Sequence, residues 1–413
     1  MAAHNPYHVR VGNAFRLLSG ADAFTPAKLD AIREAKRYVL FEQYLVNSGE
    51  LADQFIEAFV ECAQHGVPVY MLLDDFGSRR LSEADRRRIR DAGIQLAFYN
   101  PAHLTHFLRG LSRNHNKLLL IDGEYAFTGG AGITDEFLPM MEDSKAQIDA
   151  PLNTNNPVWM DVVVEMRGPI VDDWQRMFCN NWKGLNVMGG GPIDVPPVNP
   201  WKPGEQHGRV AVSQRGRRKF LRRALMGRIG HASDKVWLCT AYWLPGRTML
   251  RELRAAAQRG ADVRLLLPGP INDHATVYHA GRRYYHYLLR HGVRIFEYQP
   301  AFMHAKLYMC DRWCSIGSCN MDRWGLRWNL EANLESDDPQ LCAQAEAFFK
   351  QSIEQSHEIT LQAWRQRPVI NRLREWLFGY IDLMIERFGM NREMRRQNIS
   401  DTSTTNNFTD SGA

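Results

Sequence analysis

Short apolar runs and amphipathic segments alternate along two stretches of the chain in the same order. Residues 38–46, 67–74 and 94–99 are β-branched or apolar runs of strand length, and so are 236–243, 263–268 and 293–298. The segments between them have helical period and end at Gly66, Gly93, Gly260 and Gly292, and glycine just past an apolar stripe is the usual helix stop. Alternation of this kind predicts an α/β fold with a mostly parallel sheet flanked by helices. AQHGVPVYMLLDDFG and AQRGADVRLLLPGP occupy matching places in the two stretches. The chain is therefore read as two duplicated α/β domains related by a pseudo-twofold axis.

The boundaries follow from where the pattern breaks. Residues 1–188 form the first domain, and the Gly- and Pro-rich run 189–208 a linker. Residues 209–350 form the second domain, 351–391 a helical extension, and the polar residues 392–413 a disordered tail. The first stretch carries an extra loop, NPAHLTHFLRGLSRN, between Tyr99 and His115. Its Leu104, Phe107, Leu108 and Leu111 either face an acyl chain or pack as a lid. In residues 369–390, Ile370, Leu373, Leu377, Tyr380, Ile381, Met384 and Phe388 share one helical stripe. Such a helix lies in a membrane interface or packs on the protein's own core.

Composition narrows the class. With 413 residues, 45% of them hydrophobic, the chain can bury a large core. No run approaches the length of a membrane span, and the opening residues lack an apolar signal region, so neither a spanning helix nor a secretory signal is expected. The seven cysteines are odd in number and lie in apolar surroundings, which suits reduced core residues of a cytosolic protein. Cys310, Cys314 and Cys319 cluster, but without the paired knuckles of a zinc site, so no metal is expected. The net charge of +5 is mild. Six bases and no acid fall in residues 215–223, either to meet anionic headgroups or to form the solvated start of a helix.

One motif occurs in both halves. His115-x-Lys117-x4-Asp122 precedes Gly129-Gly130, and His304-x-Lys306-x4-Asp311 precedes Gly317-Ser318. On a strand, residues two apart share a face, so each His and Lys point the same way, while each Asp, five past its Lys, turns to the other face and acts in support at the strand end. Two His-Lys pairs meeting across the pseudo-twofold would form a cationic pocket with two imidazoles. That suits phosphoryl chemistry: one imidazole attacks phosphorus while the other serves as acid and base, and the lysines neutralise the non-bridging oxygens. Ser318, Asn320 and the backbone amides of the Gly-rich turns are candidate further donors to the phosphate.

HNKLLLIDGEYAFTGG and HAKLYMCDRWCSIGSCN resemble the paired HxKxxxxD motifs of the phospholipase D superfamily. Within it, the chain is most similar to bacterial cardiolipin synthases without membrane-spanning N-terminal helices. The likeness runs from about residue 10 to 345 and includes AKRYVLFEQY, VWMDVVVEMRGPIV and NMDRWGLRWNLEANLE. It implies two phospholipase D-like domains and a transphosphatidylation through a phosphatidyl-histidine intermediate, with neither cofactor nor metal. Carried over residue by residue, it implies catalytic roles for His115, Lys117, Asp122, His304, Lys306 and Asp311. Asp161 and Glu331, matched by position, would orient the imidazoles. The resemblance points to His115 as nucleophile and His304 as acid and base, an order that pseudo-symmetry leaves open. There are two departures: Gly132 stands where the family has Asn, while the second half keeps Asn320, and the second motif is one residue shorter between its Asp and its Gly.

The resulting expectation is a phosphatidyltransferase, peripheral on the cytoplasmic face of the inner membrane, acting on phosphatidylglycerol with phosphatidylethanolamine or glycerol as further candidates. Nucleic acid is not an expected partner. Phospholipase D hydrolysis, nuclease activity and a non-enzymatic membrane scaffold are the alternatives.

Overall fold

A computed structural model of the chain describes residues 5–101, 112–138, 158–184, 187–199, 201–213, 220–322, 329–370, 372, 374, 375 and 377–379. In the first half, strands Val39–Gln43, Val69–Asp74 and Gln95–Tyr99 run parallel and adjacent. In the second, Lys235–Cys239, Asp262–Pro268 and Arg294–Tyr298 do the same. These are the runs the hydrophobic pattern marks, shifted by at most a few residues at their ends.

Alternation decides which layer each side chain joins. Leu40 and Leu72 face a cluster with Trp174 and Phe178, whereas Val39, Phe41 and Met71 face Phe55 and Phe59. The connecting helix Glu50–Gln64 buries Leu51, Phe55, Phe59 and Cys62, one stripe at spacings of three and four. It stops where Gly66 takes φ 81°, a conformation costly for any residue with a Cβ. Gly260, with φ 95°, does the same in the second half.

The expectation of a mostly parallel sheet needs correction. Each parallel trio is extended by antiparallel strands, and in the finished sixteen-stranded sheet the antiparallel ladders predominate. The reason lies in the motif segments. Leu118–Ile121 and Tyr125–Gly129 are joined by three residues, Leu307–Cys310 and Trp313–Gly317 by two, and turns this short join only antiparallel neighbours. The shorter second turn also accounts for the residue missing between Asp311 and Gly317.

The two halves share one sheet and one core. Arg10–Ser19 pairs with Gln206–Ser213 at one end and with Val162–Arg167 along the rest of its length. On one face, helices Ile170–Trp182 and Pro339–Glu354 cover a cluster running from Leu118 and Trp174 to Leu307 and Phe349. This continuous packing brings the two motif hairpins to the middle of the molecule. The expected linker is shorter than 189–208, because Val187–Gly189 pairs with Gln95–Tyr99 and Gln206–Ser213 is already strand.

Leu104, Phe107, Leu108 and Leu111 lie outside the described residues, as do residues 215–219 and, of the apolar stripe of 369–390, Leu373, Tyr380, Ile381, Met384 and Phe388.

Candidate active site

Each motif histidine is tied by its backbone to the opposite half. His115 N–H donates to the Leu330 carbonyl at 2.9 Å, and Leu330 N–H to that of Arg113 at 2.9 Å. His304 N–H donates to the Met160 carbonyl at 2.8 Å, and Phe302 N–H to that of Val158 at 3.0 Å. The next residue after each acceptor, Leu330 or Met160, is acidic, so the ladder delivers a carboxylate to each imidazole. His115 Nδ1 lies 3.1 Å from Glu331 Oε2, and His304 Nδ1 lies 2.6 Å from Asp161 Oδ2. The acids are thus exchanged between halves, each histidine being served by the carboxylate of the other.

Only acceptors face His115 Nδ1, since the Ser318 carbonyl also lies 3.1 Å away. That assigns the proton to Nδ1 and leaves Nε2 with its lone pair. Lys117 Nζ stands 3.4 Å from Nε2 of His115, whereas Lys306 Nζ lies across the His304 ring, 3.0 Å from Nε2 and 2.8 Å from Nδ1. Both lysines also donate to the carbonyl of the histidine two residues before them, as side chains on one face of an extended segment can. Asp161, Glu331 and Lys306 are fully buried, and both histidines nearly so.

Burial and mutual repulsion set the charge state. Lys117 is pushed down to about 7, first by burial and then by the Lys306 ammonium. Lys306 is pushed down to about 8 by burial. The Asp161 carboxyl is raised to about 6, again by burial. Burial lowers His115, with Glu331 pulling the other way. His304 falls well below its ordinary value, through burial and then through Lys306, Lys117 and His115. Both lysines act on His304, so the two motifs form one electrostatic cluster. Burial holds both lysines below their ordinary values, and a phosphodiester placed between them would favour their charged forms.

Asp122 and Asp311 sit elsewhere. Asp122 accepts the N–H groups of Lys36, Arg37 and Tyr38, and Asp311 those of Ser233, Asp234 and Lys235. Each occupies the turn after its motif strand at positive φ, 58° and 51°, and fastens the entry of the first parallel strand. They lie at the far end of the strand from the imidazoles, where they hold a strand entry, which corrects their grouping with the motif histidines and lysines.

The Gly-rich turns differ in the same sense. Ser318 Oγ donates to Glu331 Oε2 at 2.5 Å and accepts from Ala332 N–H at 3.1 Å. Its hydroxyl is therefore spent on orienting Glu331 rather than offered to a phosphate. Gly130 holds the matching place, and a Cβ there would come within 2.5 Å of the Asp161 carboxylate. Asn320 Oδ1 lies 3.5 Å from Thr240 Oγ1. A Cβ at Gly132, its counterpart, would press on Leu45 at 3.0 Å.

Several groups around the imidazoles escape sequence reasoning. Tyr44 packs on His115 with ring centroids 4.7 Å apart, and Trp159, Phe137 and Phe302 surround His304. Glu42, buried in the first parallel strand, accepts at one oxygen from Asn114, Asn116 and Asn181, at 2.6, 3.0 and 2.9 Å. Two of these asparagines flank His115. The available signal was a lone acid in the apolar run VLFEQ. In the second half Cys239 stands at that register position.

Comparison with known proteins places this geometry. The model of the family described as "Cardiolipin synthase, PLD-like domain" matches residues 29–154 and 225–353. A protein named cardiolipin synthase 2 from Bacillus anthracis is 30% identical over 368 residues, covering 87% of this chain and 68% of that protein. A cardiolipin synthase A from Pseudomonas fluorescens is 31% identical over 363 residues, covering 87% and 73%. The crystal structure of a phosphatidylserine synthase from Haemophilus influenzae shares the fold, with a TM-score of 0.69 at 14% identity over 91% of this chain and 94% of that one.

Proposed function

This chain belongs to the cardiolipin synthase, PLD-like domain family, and on that premise we propose that it is a phosphatidyltransferase that moves a phosphatidyl group onto an alcohol. Phosphatidylglycerol serves as both donor and acceptor, and the products are cardiolipin and glycerol. The observation that carries the reading is the exchange of carboxylates. Two imidazoles, each with Nδ1 engaged by an acid of the other half, present Nε2 beside a buried lysine.

His115 is the nucleophile in this reading. Its Nε2 bonds to phosphorus as the bond to the glycerol oxygen breaks, and His304, charged once the bound phosphodiester offsets the two lysines that, beyond burial, depress it, supplies the proton the departing alkoxide needs. The acceptor hydroxyl then gives its proton to His304 Nε2 and attacks phosphorus, which releases His115 unchanged. The 2.6 Å contact with Asp161 supports His304 in this part, because a close carboxylate stabilises the imidazolium that gives up its proton in the first step and is re-formed in the second. Lys117 and Lys306 would hold the non-bridging oxygens.

A membrane surface is the site of action we infer. Within the extension, Ile370 and Leu377 are 53% and 46% exposed, and their spacing of seven puts them on one helix face. Between them Glu375 is buried against Arg367 at 2.8 Å and Arg282 at 3.8 Å. The segment exposes apolar side chains together with Arg372 and Arg374, the mix an interfacial helix presents to an anionic surface. The cytoplasmic face of the inner membrane is the proposed location. Among the described residues no helix is long and apolar enough to cross a membrane.

Purified protein incubated with phosphatidylglycerol vesicles tests the function by product mass. Cardiolipin with equimolar glycerol supports the transferase. Phosphatidic acid alone assigns a hydrolase and overturns the reading.

A further inference from the structure

The two half-sites open onto different surroundings at the carboxyl ends of their parallel strands, where ligands of open α/β sheets bind. Beside His304, the end of Asp262–Pro268, the segment 241–243 and the helix Ala275–Arg282 enclose a cavity of about 20 Å³ lined by Tyr242, Trp243, Asp273, His274 and Phe302. That is room for about one water-sized group. Tyr242 and Phe302 form its wall toward the reaction centre, with ring centroids 6.3 and 5.6 Å from the His304 imidazole. Asp273 lies close enough to Lys306 for the ammonium to act on its carboxyl.

Two buried polar atoms of this lining have no hydrogen-bond partner among the described residues, Asp273 Oδ1 and Trp243 Nε1. The other Asp273 oxygen is engaged, accepting from Tyr242 Oη at 2.5 Å. A buried polar atom without a partner is costly, and these two are of opposite kind, one acceptor and one donor. A hydroxyl satisfies both at once, donating to Asp273 and accepting from Trp243. An ammonium group could serve only Asp273, and a phosphate would meet the Asp273 carboxylate.

Resting on the transferase reading, we infer that Asp273 and Trp243 form a subsite for a hydroxyl of the acceptor's glycerol moiety, other than the hydroxyl that attacks phosphorus. The subsite makes the enzyme select polyol acceptors over simple alcohols. It also places the acceptor on the His304 side, where its reacting hydroxyl is deprotonated. The corresponding surroundings of His115 hold Arg79 and Arg113 against Phe76. Negative charge is welcome there, and among the described residues the unpartnered buried atoms flanking His115, Glu42 Oε2 and Asn116 Oδ1, are both acceptors rather than a donor and an acceptor.

The test supplies the full-length protein with phosphatidylglycerol vesicles and added isotope-labelled glycerol, 1-propanol or ethanolamine, and reads by mass the labelled phosphatidyl-alcohol formed by each, the label separating phosphatidylglycerol newly made from added glycerol from the donor lipid. The wild type should favour glycerol over 1-propanol by about tenfold in kcat/KM, the range one well-made hydrogen-bond pair supplies. In Asp273→Asn and Trp243→Phe that ratio should fall toward one, chiefly through a higher KM for glycerol. A parallel loss of cardiolipin formation assigns the lipid headgroup as occupant, and a loss confined to added glycerol assigns the free polyol. A wild type that shows no preference for glycerol, or that prefers ethanolamine, overturns the subsite even if the variants fail to fold. So does an unchanged ratio in folded variants, which would leave the cavity to an ordered water. A wild type that forms no phosphatidyl-alcohol with any acceptor, and no cardiolipin, refutes the transferase reading itself and the subsite with it.

Discussion

The two half-sites have the same skeleton and different furniture. Around His115 the chain places Glu331 at 3.1 Å with Ser318 bracing it, and a buried Glu42 clamps the flanking asparagines. Around His304 it places Asp161 at 2.6 Å without a hydroxyl brace, within a cage of Trp159, Phe137, Phe302 and Tyr242. The His115 imidazole has two acceptors at Nδ1, the Glu331 carboxylate and the Ser318 carbonyl, which suits the nucleophile proposed for it. The other has a closer carboxylate and apolar walls, which suits a group whose charge appears and disappears. Duplication accounts for the paired His and Lys, and the divergence around them is what the proposed division of roles rests on.

The largest effects should come from the imidazoles. His115→Ala and His304→Ala should each lower cardiolipin formation by about 10³-fold or more, because the members of one catalytic unit fail together. Activity near the wild-type level in either variant would show that the halves work independently. The supporting acids should then separate the half-sites. Asp161→Asn, which removes the sole carboxylate at His304 Nδ1, should cost about 10²-fold in kcat. Glu331→Gln should cost less, because the Ser318 carbonyl still accepts from His115 Nδ1. Equal losses, or the reverse order, would remove the distinction drawn from the two distances.

A pH profile examines the shared charge. The lysines act as cations only below their own pKa values, about 7 and 8 in the free protein. Asp161 serves as a carboxylate only above about 6. The profile of kcat/KM should therefore fall as pH drops below about 6, and fall again as it rises through about 7 to 8. A rate still rising at pH 9 would contradict the assignment of the lysines. Smaller effects are expected at the turns. Asn at Gly132 would restore the family pattern but press its Cβ on Leu45, so Gly132→Asn should lower stability by about 1–3 kcal/mol without raising activity. Thermal unfolding together with turnover checks both parts.

Much of this was legible in the chain. The parallel trios, their glycine stops and the two motifs are local patterns, and alternation alone already turned Asp122 and Asp311 away from the reacting face. Their three amide partners apiece lie far away in sequence, so their fastening of a strand entry could not be read. The exchanged acids were hidden for the same reason. Asp161 and Glu331 could be picked out by place, but which imidazole each serves depends on ladders between residues 143 and 216 positions apart. The expectation of a mostly parallel sheet failed because, besides the two motif hairpins, strands distant in sequence such as Arg10–Ser19 and Gln206–Ser213 join the sheet antiparallel. Glu42 and Asp273 went unnoticed because one acid in an apolar run and one in a loop carry no periodic signal.

The central claim is a single centre with unequal histidines, and trapping the intermediate tests it most directly. Phosphatidylglycerol labelled at phosphorus is mixed with the enzyme, quenched within a turnover, and the acid-labile phosphorus–nitrogen adduct is located by peptide mass. The account predicts label on His115, absent in His115→Ala and retained at a slower rate of formation in His304→Ala. Label on His304, or steady turnover with no adduct on either histidine, would contradict it.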